Sequence, residues 1–168
     1  DIATHAALTA THGVAGTIAG LADIATHAAL LTGIHGLALG ARAYHNADQA
    51  IPNTTWTVVA LNSERFDTDT IHDNTTNNSR LTCKTAGKYL IIGGISWAFN
   101  TTGTRLIDIY LNNTTSLARN GVPAPASASG GEFNVSTIYP LAVNDYVELR
   151  ANQNSGGNLN VSATPNWS

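Results

Sequence analysis

The 168-residue chain has no methionine, a single cysteine (Cys83), and 8 basic and 11 acidic residues that together make up only 11% of it. An average soluble chain carries about 25% charged residues. Each shortage excludes something. One cysteine rules out an intramolecular disulfide framework and any cysteine-based zinc site. With a net charge of −3 and no cluster of Lys and Arg, nucleic acid is not expected as a partner. No apolar run approaches the ~20 residues of a membrane span, so membrane insertion is not expected, and nothing resembles a signal peptide. The local signatures GxSxG, HExxH, GxGxxG and the phosphate-binding GxxxxGKS/T are all missing, which points away from an enzyme. Without an initiating methionine, the chain reads as a piece of a longer one, cut inside a repeat.

What is present falls into two compositions. Residues 1–41 hold 12 Ala, 6 Gly, 6 Thr and 4 His, with only Asp1 and Asp23 charged and no aromatic side chain. Residues 42–168 carry every Trp, Tyr, Phe and Pro, all the basic residues and nine of the acids. The first segment lacks the large side chains of a core and cannot offset its own ordering entropy alone, so it must find partners or remain disordered. DIATHAAL at 1–8 recurs at 23–30, a period of 22, and such self-similarity marks an array or fibrous element. Each unit opens like a short helix, with Asp1 or Asp23 as N-cap and Gly13 or Gly33 as the stop. Ile24, Ala28, Leu31 and Ile34 make a stripe suited to a parallel bundle. Residues 1–41 are therefore expected to be an oligomeric, partly helical stalk.

Residues 42–168 read as all-β. The expected strands are Trp56–Leu61, Arg80–Cys83, Lys88–Phe99, Arg105–Leu111, Glu132–Tyr139, Tyr146–Ala151 and Asn158–Ser162, separated by Asn, Thr, Ser and Gly clusters. Alternation puts Leu106, Asp108 and Tyr110 on one face and Ile107, Ile109 and Leu111 on the other. It likewise turns Val147 and Leu149 inward and Tyr146, Glu148 and Arg150 outward. Lys88–Phe99 is almost continuously apolar, which predicts a central strand covered on both sides. Many short strands without a convincing helix imply a sandwich or jelly roll. Cys83 is expected to be a buried apolar residue, and Trp56, Trp97 and Phe99 core or interface aromatics.

Several motifs in order resemble the globular head of complement C1q and its tumour-necrosis-factor-like relatives. Thr85-Ala-Gly-Lys-Tyr-Leu-Ile-Ile92 resembles that family's aGxYxf strand, with Phe66-Asp67 and Leu81-Thr-Cys83 upstream. Ile109-Tyr-Leu-Asn-Asn113 and the strand–turn–strand from Ser136 to Leu149 follow in place. Asn144 stands where the family has Gly before Asp145, a change the turn tolerates because Asn accepts positive φ. The segments THAALTATHGVAGTIAG and THAALLTGIHGL resemble those that precede C1q-like tips in phage tail fibres. The resemblance implies a C1q-like β-jelly-roll head at 42–168 on a trimeric stalk at 1–41. It further implies a homotrimeric fibre tip on the virion that adheres to a host surface polysaccharide or protein. A structural trimerisation module of a bacterial or spore-surface filament is the alternative reading, and a polysaccharide depolymerase is a third.

Receptor contact is expected on the Asn-, Ser-, Thr- and Gly-rich loops at Asn112–Asn120, Gly121–Gly131 and Asn152–Asn158, since recognition concentrates on loops held by a rigid frame. The candidate contacts are Asn112, Asn113, Arg119, Asn120, Asn152, Asn154 and Asn158. The same loops also read as ordinary solvated connectors. No cofactor is required. In a trimer, His5, His12, His27 and His35 would form axial rings of imidazoles able to hold a structural transition metal, and they would equally serve as turn caps or backbone hydrogen-bond partners. Asp67, Asp69 and Asp73 offer spaced oxygen ligands for calcium. The stretch has neither the central Gly nor the closing Glu of an EF-hand, and a solvated loop accounts for it as well. Glu132, Asp145 and Glu148 show no spacing that pairs them for catalysis.

Overall fold

The computed structural model describes residues 39–126 and 131–163, nearly all within the unit Gly40–Ser168. The repeat, its helical openings and the rings at His5, His12, His27 and His35 lie outside the described residues. Eleven strands and no helix occur among the described residues. In order they are β1 (Ala41–Tyr44), β2 (Gln49–Ile51), β3 (Thr57–Val58), β4 (Ser63–Asp67), β5 (Arg80–Thr82), β6 (Gly87–Ser96), β7 (Thr104–Leu111), β8 (Thr115–Pro123), β9 (Glu132–Leu141), β10 (Tyr146–Gln153) and β11 (Leu159–Val161). Ala41, grouped with the stalk on composition, opens β1.

Strand β10 organises the largest sheet. It pairs with β7 along one edge and with β5 and β3 along the other, and β8 extends the sheet beyond β7. The long strands β6 and β9, non-consecutive in the chain, form a second antiparallel ladder from Gly87↔Leu141 to Ser96↔Glu132. Strand β2 pairs with β11, which reaches the end of β6 through a bridge between Trp97 and Val161. Between these layers lies one apolar core. Ile107, Ile109, Val147 and Ala151 from the five-stranded sheet meet Ile95, Trp97, Val135 and Leu141 from the β6–β9 side, closed by Ile51 and Val161. The head is thus an all-β protein of several sheets packed as in a β sandwich. Each buried aliphatic side chain of this kind contributes about 1.5–3 kcal/mol. Cys83 belongs to the same core.

The turns use the residues their dihedrals demand. Asn144 sits at φ 73° between β9 and β10, and Asn112 and Asn113 at 50° and 58° between β7 and β8, where short side chains tolerate the left-handed region. The Asp145 carboxylate joins the two turns, accepting from the Ala142 amide and from Asn112 Nδ2, both at 2.8 Å. Asn112 Oδ1 in turn accepts the Tyr146 amide at 2.9 Å.

Two expectations need correction. Strand β6 is not covered on both sides. It pairs with β9 alone apart from the bridge at its end, and its burial alternates, leaving Leu90 and Ile92 65% and 67% exposed. A continuous apolar run arose because an outward face can be apolar without being covered within one chain. Second, Asn112–Asn120 is not a loop. Beyond a short turn, Thr115–Pro123 is strand β8, so Arg119 and Asn120 are strand residues. Its polar sequence hides a strand that the β7 ladder holds through its backbone. Strands β1 and β2 were likewise not expected, being short and mixed in polarity.

Candidate functional site

Antiparallel pairing sets directly opposed residues on the same face of a sheet. In the five-stranded sheet, Glu148 faces Tyr110 and Arg80, Arg150 faces Asp108, and Asp108 faces Arg119. These residues all stand on the face turned away from the core, because their neighbours Val147, Ala151, Ile107 and Ile109 occupy the inner one. The outer face of this sheet is therefore a mat of arginines, carboxylates and aromatic rings.

The carboxylates lie at the bottom. Asp108 is 0% exposed. It accepts from Arg119 Nε and Nη2 at 2.7 and 2.6 Å and from Ser116 Oγ at 2.7 Å. Glu148, also buried, accepts from Arg80 Nε at 3.1 Å, Ser79 Oγ at 3.2 Å and Arg150 Nη2 at 3.2 Å. Arg150 Nη2 also bonds Asn113 Oδ1. Charge-assisted bonds of this kind are the strong ones, and buried carboxylates require them. Above the carboxylates each guanidinium lies over an aromatic ring. Arg119 is 4.7 Å from the centre of Trp56, Arg150 4.0 Å from Tyr110 and Arg80 4.1 Å from Tyr146, within the range of cation–π attraction. Trp56 remains 37% exposed and the Arg119 side chain 47%. Among the described residues, the hydrogen bonds of Arg80 run only from Nε and those of Arg119 from Nε and Nη2. Terminal N–H groups on both are left for a further acceptor.

The expected contact residues divide across this frame. Arg119 and Asn113 are part of the mat, and Asn152 lies on the same face of β10 two residues beyond Arg150. Asn112 borders the mat but is committed to the turn. Asn120 is opposite Ile107 and donates to Asn134 O at 2.8 Å, away from the mat. Asn154 and Asn158 lie beyond the other end of β10 from Asn112 and Asn113. Asn154 Oδ1 there accepts the amide and hydroxyl of Thr104. The residues that sequence reasoning missed are Trp56, Tyr110, Arg80 and Arg150. The signal was present: two alternating strands each offered an acid and a tyrosine on one face, and register alone was needed to join them.

The acidic stretch is occupied by local bonds. Asp67 accepts the amides of Asp69 and His72 at 3.1 and 2.8 Å. Burial pushes its carboxyl up, but the amides of His72, Ile71 and Asp69 and the charge of His72 outweigh this and hold it below the ordinary range. Asp73 accepts the amides of Thr76 and Thr75 and the Thr75 hydroxyl, which bring its carboxyl down to about 2. Asp69 accepts the Thr85 hydroxyl at 3.1 Å. His72 is buried between Glu64 Oε1, 2.8 Å from Nδ1, and Asn78 O, 2.9 Å from Nε2. Among the described residues no group of three or more His, Cys, Asp or Glu is arranged to hold a metal ion. No helix among them is long and apolar enough to cross a membrane.

No protein-family model matches the chain, and no curated protein matches it.

Proposed function

We propose that the protein is the homotrimeric receptor-binding tip of a phage tail fibre, a non-enzymatic adhesin carried outside the cell on the virion. The observation that carries this reading is the contrast between the two outward faces of the head. The β6–β9 face leaves Leu90, Ile92 and Ile138 65–69% exposed, with Leu90 directly opposite Ile138. Contiguous exposed aliphatics of this kind mark an association surface, and a copy of the same chain is the partner that a fibre tip supplies. The five-stranded sheet instead shows water a face of arginines and aromatic rings, the composition enriched where proteins bind partners.

The jelly-roll reading of the head is supported by strand order. After β5 the chain passes to the β6–β9 side, returns for the β7–β8 hairpin, and then crosses at β9, β10 and β11. Such repeated crossing between layers is what a jelly roll requires. A stalk of three copies of residues 1–41 would precede it, needing no cofactor, with the His rings as the place for a structural ion. The partner is a host surface polysaccharide or protein, and three weak sites on one axis would gain avidity without new contacts. The alternative, a trimerisation module of a bacterial or spore-surface filament, uses the apolar face but leaves the arginine–aromatic face without a role.

Light scattering and capture of the protein on isolated bacterial envelopes test both halves. The expected mass is three times the chain mass of 17.5 kDa, with retention on the envelopes of a susceptible host. A monomer overturns the trimer, and failure to bind any envelope across a broad bacterial panel overturns adhesion.

A further inference from the structure

The arginine–aromatic mat has a chemistry more specific than adhesion in general. Its two carboxylates are buried beneath it, while Arg80 and Arg119 keep terminal N–H groups directed to solvent. A chain with a net charge of −3 thus shows cationic donors at this face. Arg119 lies over one face of the Trp56 ring, and 37% of that residue remains open. An indole face binds the C–H side of a sugar ring, and a guanidinium fork binds a carboxylate. Arg119 on β8 and Arg80 on β5 flank the paired strands β7 and β10, three strand spacings or ~14 Å apart, which suits a polymer lying across the sheet. A neutral glycan would leave the guanidinium donors bonded only to water. An acidic peptide would leave the indole face uncovered.

We propose that this face binds an acidic polysaccharide, a chain of sugar rings bearing carboxylates. One ring stacks on Trp56, and carboxylates along the polymer accept from Arg119 and Arg80. Asp108 and Glu148 hold the two guanidiniums in place from below and do not touch the ligand. The inference rests on the adhesion reading for its biological setting, although the binding itself is separately measurable.

The probes are oligogalacturonate, a polymer of sugar carboxylates; dextran, sugar rings without charge; and polyglutamate, carboxylates without rings. Binding is measured by calorimetry on the whole chain at two salt concentrations. Oligogalacturonate is expected to bind more tightly than either of the others and to weaken as salt screens the arginines. Trp56→Ala is expected to weaken it about tenfold, the loss of one stacking platform. Arg119→Lys keeps a cation beside buried Asp108, so the head remains folded, but removes the fork and is expected to cost about fivefold. Thermal melts verify folding of both variants. Equal affinity for dextran or polyglutamate, no binding of oligogalacturonate, or unchanged affinity in both folded variants overturns the proposal and leaves the mat as a covering for the sheet. Envelope capture separates the two readings. If envelopes retain both variants as well as the parent, this face is not the receptor site although adhesion stands. If the parent binds oligogalacturonate through Trp56 but no envelope, the face is a polysaccharide site and the tail-fibre reading falls.

Discussion

On β6 and β9 the outward positions include Leu90, Ile92 and Ile138. On β7, β8 and β10 they are Asp108 and Tyr110, Ser116 and Arg119, and Glu148 and Arg150. The same two-residue period generates both faces, and both lie over one core, yet they reach different ends. The arginine–aromatic face is satisfied below and open above: its carboxylates have their donors and its arginines stack on rings, but Arg80 and Arg119 keep terminal N–H groups for a further acceptor. The apolar face has no such closure within the chain, since water gives nothing to Leu90 or Ile138. One surface is largely covered by its own side chains, while the other is left open within the single chain. The apolar face is accordingly read as the place where copies meet and the charged one as the place where ligand is recognised.

The largest expected effect breaks the first half of that contrast. If three copies meet on this face as proposed, replacing Leu90, Ile92 and Ile138 together by Glu places like charges at that junction and removes aliphatic burial of about 1.5–3 kcal/mol per side chain. Sedimentation velocity is expected to show monomer at every concentration tested. The head should stay folded, because these side chains contribute little to its own core. Persistence of the trimer would mean that the copies meet elsewhere.

The second half breaks at Asp108. Arg119→Ala leaves a fully buried carboxylate with only Ser116 as side-chain donor, and about 3–5 kcal/mol of head stability is expected to be lost in urea unfolding. Asp108→Ala removes the buried charge and leaves an arginine that is 47% exposed to water, so its cost should be clearly smaller. Equal costs would show that the mat owes its stability to packing over Trp56 and not to the ion pair. A smaller effect, about 1–2 kcal/mol, is expected for Asn112→Ala, which leaves Asp145 and the Tyr146 amide short of a partner.

The fold class was visible in the alternation of Arg105–Leu111 and Tyr146–Arg150, whose inward sets are those found in the core. Asn144 at a positive-φ turn and buried Cys83 were also readable, because turn dihedrals and small apolar residues act locally. What stayed hidden depends on pairing. Strand β8 is polar and becomes a strand only because β7 offers it a ladder. Glu148 was expected to face outward and does, but Arg80, Arg150 and Ser79 cover it from strands and turns up to 69 residues away. Trp56 read as a core or interface aromatic because composition does not say which way a side chain just before a two-residue strand faces. Arg119 was named as a loop residue although it stands in β8, and its strand neighbours on the mat were missed because contact was expected on loops.

Acid distinguishes the two faces most finely. The Asp145 carboxyl, which joins the β7–β8 and β9–β10 turns, is held below its ordinary value of 3.8 by the Asn112 side chain and the Ala142 amide. Asp73 is held at about 2 by the Thr76 and Thr75 amides and the Thr75 hydroxyl. A depressed carboxyl stabilises the fold fully above the unfolded value and ceases to do so as pH falls through the folded one. No loss from these groups is therefore expected between pH 7 and 5, with loss setting in below about 3.8. Hydrogen exchange should show the Ala142, Thr75 and Thr76 amides losing protection in that range, at the turns beside the charged sheet and in the acidic stretch. The amides of Leu90 and Ile138 on the apolar face, which has no such carboxylate bond, should stay protected until the head unfolds. Asp145→Asn keeps an acceptor but cannot titrate, so it should remove the acid dependence at Ala142 while leaving that at Thr75 and Thr76. If Ala142 in that variant still opens with the parent's pH profile, its protection is set by the sheet as a whole and not by the Asp145 carboxylate.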